Sequence, residues 1–228
     1  MKTLALSTSS TGASVALVER GEVRARRHVD EDRLHAERVF TMIDEVLAEV
    51  GMGKRDVELL ACDLGPGSFT GVRVGVASAK GIALGLGVPI VGVGSLEAMA
   101  LTGAEQALGS VVLAILDARR GERFVAAHGR EGVVLSPRHV VTASLTALFE
   151  SLGSAARYVG DAGGVLDEAQ RLRGLGCDLP DAGVIGRIGE RRFVEGQRDD
   201  LAALEPVYVR PPDAALPATA PDYRVSGR

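Results

Sequence analysis

Cysteine is scarce in this chain: Cys62 and Cys177 are the only two in 228 residues, far apart and without a CxxC pair. That excludes a disulfide framework and a zinc knuckle. Cys62, inside the apolar run ELLACDL, reads as a small buried core residue. Histidine is scarce too, with four in the chain. His35 in RLHAERVF has Val39 where the second histidine of HxxxH would stand, and His28 lies seven residues upstream on a strand. A metal site is therefore not expected, and His35 reads as a polar residue at a helix start. Positive charge is not in excess, with a net charge of −4 and a pI of about 5.6. The basic face of a protein that holds RNA by itself is missing. No run approaches ~18 consecutive apolar residues, so no membrane span is expected. The opening MKTLALSTSS has one lysine and an apolar run too short for a signal peptide, so the chain reads as soluble and cytosolic.

What is there is globular: 46% hydrophobic and 25% charged residues, enough for one large or two small domains. TLALS, SVALVE and VRARRHV read as strands joined by tight turns at Gly12 and Gly21, hence antiparallel. A helix over 33–50 follows, with Ala36, Val39, Phe40, Ile43, Val46, Leu47 and Val50 on one face and Gly51 to end it. ELLACDL reads as a strand, 68–86 as a helix and VPIVGV as another strand. From Ser110 the order starts again: VVLAILD, RFVAAHG and VVLSPRHV as strands, TASLTALFESLG as a helix, ARYVG as a strand and GGVLDEAQRLRGL as helix-like. Leu4-Ala5-Leu6 aligns with Leu113-Ala114-Ile115, and Gly12 with Gly121, at one offset. The expected organisation is an α/β fold of two similar βββαβα lobes, 1–106 and 107–210, with a proline-rich, mobile tail at 211–228. This duplication resembles the paired ribonuclease-H-like lobes of the actin, sugar-kinase and Hsp70 superfamily, in which nucleotide lies between the lobes.

The stretch GPGSFTGVRVG packs four glycines into eleven residues ahead of a helix. Five residues, not four, separate Gly65 from Gly71, and Val72-Arg73 follow, so it is no P-loop. Thr70 breaks GxGxxG, and Pro66 and Thr70 break the GxSxG elbow around Ser68. Ser68 either caps the helix or helps its free N–H groups meet an anion. Gly67, Gly71, Gly75, Ala79 and Ala83 recur every fourth residue, a stripe that invites close approach by another helix. That helix could come from this chain, at 33–50, or from another.

In an actin-like fold the turn after each lobe's first strand meets phosphate. Here that turn offers Ser7, Thr8 and Ser9, with Ser7 where an acid would organise magnesium. The second lobe offers Asp117, and VGDAGG (Gly160, Asp161, Gly163) looks like the segment that lies against adenosine. A vestigial cleft with weak ATP or ADP binding is compatible with these residues; a required cofactor is not expected.

LALSTSSTGASVAL, RLHAERVFTMIDEVL, LGPGSFTGVRVGVASAKGIALGLGVPIVGVGSLEAMA, LDARRGERFVA and EPVYVR together resemble the TsaB (YeaZ) family. The resemblance spans residues 3–210. It implies a non-catalytic subunit of the machinery that makes N6-threonylcarbamoyladenosine in ANN-decoding tRNAs. Such a subunit pairs with a TsaD-like transferase, is joined by a TsaE-like ATPase, forms a homodimer when alone and meets tRNA only in the complex. The implied pairing surface is the two helices at 33–50 and 68–86, with His35, Val39, Phe40, Ile43, Gly67, Phe69, Gly71, Val72, Gly75 and Ala79 as candidates. The glycine stripe would then serve the lobe and the interface together. Ser7 departs from the family's usual IDTS. The competing expectation is an enzyme: an actin-like kinase or a glycoprotease-type peptidase.

Overall fold

The structure is a computed structural model that describes residues 1–30, 36–173 and 177–210. Strands β1 (Lys2–Ser7), β2 (Gly12–Glu19) and β3 (Glu22–Asp30) form an antiparallel meander. Helix α1 (Ala36–Glu49), β4 (Leu59–Asp63), α2 (Phe69–Leu86) and β5 (Ile90–Val93) follow, and β4 and β5 join the sheet parallel to β1. The first sheet has the order β3-β2-β1-β4-β5. Helix α3 (Ser95–Gln106) leads to β6 (Val112–Asp117), β7 (Glu122–Gly129), β8 (Gly132–Val141), α4 (Leu145–Ser151), β9 (Arg157–Gly160) and α5 (Ala182–Val194). The second sheet has the order β8-β7-β6-β9. This is a pair of ribonuclease-H-like lobes, the actin and sugar-kinase architecture expected from the repeated pattern.

Strand alternation decides what packs where. In the first sheet Leu4, Leu6, Val15, Leu17, Leu60 and Cys62 face Val39, Ile43, Val46 and Ala79 of α1 and α2. The intervening Ala5, Ala16 and Ala61 face Ala182, Ile185 and Ile188 of α5. Small residues line that second face from both sides. A Cβ on Gly186 would come within 2.6 Å of Val18, and one on Gly189 within 2.7 Å of Ala61. Burial also pushes the Cys62 thiol up, out of the reactive range.

Helices α3 and α5 trade places between the halves of the chain. α3 follows the first sheet, yet Leu96, Met99 and Ala100 pack with Val112, Ala114 and Val159 of the second. α5 follows the second sheet and packs on the first. Neither is visible in the amphipathic pattern. α3 is buried at Ser95, Leu96, Ala98, Met99, Ala100, Thr102 and Gly103, so no polar stripe marks it. The glycines that let α5 lie on the sheet weaken its helical signal.

One expectation is corrected. The helix expected over GGVLDEAQRLRGL is a single 3₁₀ turn, Glu168–Gln170, within an otherwise irregular described segment. Gly163 and Gly164 take positive φ of 63° and 76°, which no α-helix accommodates. Helix α2 begins at its serine, and α1 and α2 end at their glycines. Gly71 N donates to Ser68 Oγ, so Ser68 is the cap of α2, and Gly87 ends it at φ 68°. Gly51 takes the same φ, 68°, just past α1.

Candidate functional site: a closed turn and an open helical face

The parallel pairing of Leu6 with Cys62 sets Ser7 level with Asp63 at the carboxyl ends of β1 and β4. Ser7, Thr8 and Ser9 are each 2% exposed, as is Asp63. Ser7 Oγ donates to Asp63 Oδ2 at 2.6 Å, and Gly65 N donates to Oδ1 at 2.8 Å. The hydroxyls of Ser9 and of Ser95, the first residue of α3, donate to the same carboxylate. A carboxylate has about four lone-pair sites, and here four donors of the chain itself take them. Burial holds the Asp63 carboxyl above the usual carboxylate range, and these four donors pull it back. An acid thus stands at the first turn after all, supplied by β4 rather than β1. The sequence signal for it is the acid that closes the strand ELLACDL, whose role depends on the register of β4 against β1.

The glycine-rich stretch closes the other side of that turn. Ser68 N donates to Ser9 O at 2.7 Å, and Thr8 Oγ1 donates to Gly71 O at 2.6 Å. A Cβ on Gly67 would lie 2.0 Å from Ser9 O, and one on Gly71 2.0 Å from Thr8 O. One on Gly75 would lie 2.3 Å from Thr8 Oγ1. These glycines therefore approach a turn of their own lobe rather than a helix of this chain or another. The glycine stretch holds backbone against backbone, and the first turn is sealed by protein.

The second-lobe candidates sit in a separate network. Arg123 lies between Asp117 Oδ1, at 3.1 Å, and Asp161 Oδ2, at 3.6 Å. Asp161 Oδ1 accepts from Gly163 N at 2.7 Å, and Gly160 N donates to Asp178 at 3.1 Å. Asp117 is thus neutralised by an arginine of its own lobe, and both halves of the expected cleft are engaged with the chain itself. Among the described residues no group of three or more His, Cys, Asp and Glu could hold a metal ion. No helix among them is long and apolar enough to cross a membrane.

The pairing candidates divide by direction. Val39, Ile43, Val72, Gly75 and Ala79 are buried in the lobe, and Gly67 and Gly71 face the turn. His35 lies outside the described residues. Phe40 is 42% exposed, Phe69 56% and Leu84 72%. A groove of about 270 Å³ lies by α1 and α2, with Phe40, Ile43, Ile82 and Leu86 of the helices, Leu4, Val57 and the charged Lys54 in its lining and Gly85 at its side. Gly81 and Gly85 have nothing within 4 Å of where a Cβ would be. A second set of small residues thus looks outward from α2, one the four-residue stripe did not include.

The family model of TsaD, tRNA N6-adenosine threonylcarbamoyltransferase, matches residues 29–152. TsaB of Haemophilus influenzae is 32% identical over 221 residues, covering 91% of this chain and 92% of that one. TsaB of Escherichia coli is 35% identical over 223 residues, 92% and 95% of the two chains. The chain belongs to the TsaB family. The solved YeaZ of Pseudomonas aeruginosa superposes with a TM-score of 0.77 at 25% identity, covering 91% of this chain and 99% of that structure. Both TsaB relatives are matched over nearly their whole length, so the two-lobed unit is shared throughout and not only around the glycine-rich stretch.

Proposed function

We propose that this chain is a non-catalytic subunit in the synthesis of tRNA threonylcarbamoyladenosine, pairing with a TsaD-like transferase through the outer face of α1 and α2. The observation that carries the reading is the contrast between the two surfaces. The first turn and Asp117, where an actin-like enzyme would do chemistry, have their polar groups bound within the chain. The face of α1 and α2 is grooved and mostly apolar, with Phe40 in the groove beside Lys54, and Leu84 is exposed on α2. Exposed apolar surface rimmed by polar residues marks an interaction site.

The transferase is a fitting partner because its own family model extends over residues 29–152 of this chain, α1 and α2 included. A surface that can pair about a two-fold axis with its copy can pair with a homologue presenting the same elements. The same face would close on a second copy when the transferase is absent. A TsaE-like ATPase and tRNA would join the heterodimer rather than this chain alone. The kinase and peptidase alternatives have less to stand on, since Ser68 is spent as a helix cap and Asp63 as the acceptor of a buried network.

Reconstitution tests the role. With the transferase, the ATPase and the threonylcarbamoyl-adenylate-forming enzyme of the same organism, modified tRNA should accumulate only when this chain is added. The chain alone, given tRNA, ATP, threonine and bicarbonate, should produce none. Product formed at equal rate without it would remove the proposed role.

A further inference from the structure

The motif EPVYVR belongs to no strand or helix, yet it is anchored along its length. Just before it, Leu204 is buried in the core of the first lobe, and Lys80 of α2 donates to the carbonyls of Ala202 at 3.1 Å and Leu204 at 3.0 Å. Val207 N then donates to Leu64 O at 2.7 Å. The Tyr208 ring lies 5.8 Å from that of Phe69, and its hydroxyl accepts from Arg73 Nε at 2.8 Å. One residue later the chain has changed lobes. Val209 packs against the second-lobe cluster of Leu116, Ala118 and Phe124, and its carbonyl lies 3.3 Å from His139 Nδ1. Arg210 donates to Ala118 O at 3.2 Å and pairs with Glu122 at 3.2 Å.

The two backbone carbonyls that receive this segment have a shared position in the fold. Leu64 directly follows Asp63 at the end of β4, and Ala118 directly follows Asp117 at the end of β6. In open α/β sheets ligands bind outside the carboxyl ends of the parallel strands. We infer that residues 205–210 form a strap across the mouth of the inter-lobe cleft, tying the β4–α2 loop to the β6–β7 turn, fixing the angle between the lobes and filling the place of a cleft ligand. Leu204, just before the strap, is buried in the first core, Val209 packs against the second, and a hydrogen bond reaches each rim, so neither lobe can swing away without breaking contacts to it. The inference concerns this chain alone, and it stands or falls independently of the pairing proposed above.

Amide hydrogen exchange on the full chain tests it, comparing wild type with Tyr208→Ala/Arg210→Ala. Local opening is read amide by amide. If the strap ties the lobes, peptides over 63–70 and over 117–124 should both exchange at least about 10-fold faster, while β2 and β7 keep their protection. Faster exchange in 205–210 alone, in one rim only, or by a common factor throughout the chain would overturn it. Should the double variant fail to fold, Val209→Ala removes only one anchor and is read the same way.

Discussion

Gly71→Ala is expected to lower the stability of the first lobe by about 3 kcal/mol or more, as overpacking against immovable atoms does. The new methyl would sit 2.0 Å from the carbonyl oxygen of Thr8. That oxygen belongs to backbone, and the turn cannot retreat, because Thr8 Oγ1 is bonded to Gly71 O and Ser9 O to Ser68 N. Against a usual total of about 5–15 kcal/mol, such a loss moves a urea midpoint far or abolishes folding. Gly81→Ala, in the same helix, has open space around its Cβ. It should raise stability by up to about 1 kcal/mol through helix propensity. Urea titrations of the two variants side by side check the pair. Equal midpoints would mean that the glycines of the opening stretch do not hold the turn.

Asp63→Ala is the second large effect expected. It leaves Gly65 N–H and the hydroxyls of Ser7, Ser9 and Ser95 without their acceptor in a buried site. Each buried donor without a partner costs roughly 1–3 kcal/mol. The hydroxyls can turn to one another, since Ser95 Oγ already lies 3.1 Å from Ser9 Oγ. The variant also removes the cost of a buried charge, so the net loss is expected near about 3 kcal/mol rather than the full sum. The same residue gives a pH signature. Its folded-state carboxyl is held above the usual range by burial. Between the ordinary and the raised pKa the folded chain therefore carries one proton more than the unfolded chain, and stability falls as pH rises through that interval. Asp63→Asn lacks this titration. The stability of wild type minus that of Asp63→Asn should decline from about pH 4 upward. A difference that rises over that range would contradict the burial account.

Much of this was readable from the residues alone, for physical reasons. Leu4-Ala5-Leu6 and its counterpart Leu113-Ala114-Ile115 announce strands whose two faces differ, and the structure uses both faces. Helices α1 and α2 are amphipathic or well punctuated, with Ser68, Gly51 and Gly87 at their ends. α3 escaped notice because it is buried between the lobes, and α5 because its glycines serve the sheet rather than the helix. Asp63 was passed over because its role depends on the register of β4 against β1, which no local pattern carries. The glycine stripe does mark close approach, but by a turn and not by the helix its spacing suggested. What approaches it, a turn about sixty residues earlier in the chain, is a tertiary fact. Gly81 and Gly85 fall off the four-residue stripe, and that nothing lies over them is a tertiary fact as well.

The most direct test of the account is the mass in solution of the wild-type chain, and of Phe40→Asp/Leu84→Asp, each mixed with the TsaD-like transferase of the same organism. Both substituted side chains are exposed in this chain, so folding should be unchanged by circular dichroism. A buried hot spot replaced by a charge costs about 3 kcal/mol or more, roughly a 100-fold loss of affinity. The account predicts a one-to-one complex for wild type and separate species for the variant at the same concentration. Wild type eluting apart from the transferase, or the folded variant pairing as tightly as wild type, would contradict it.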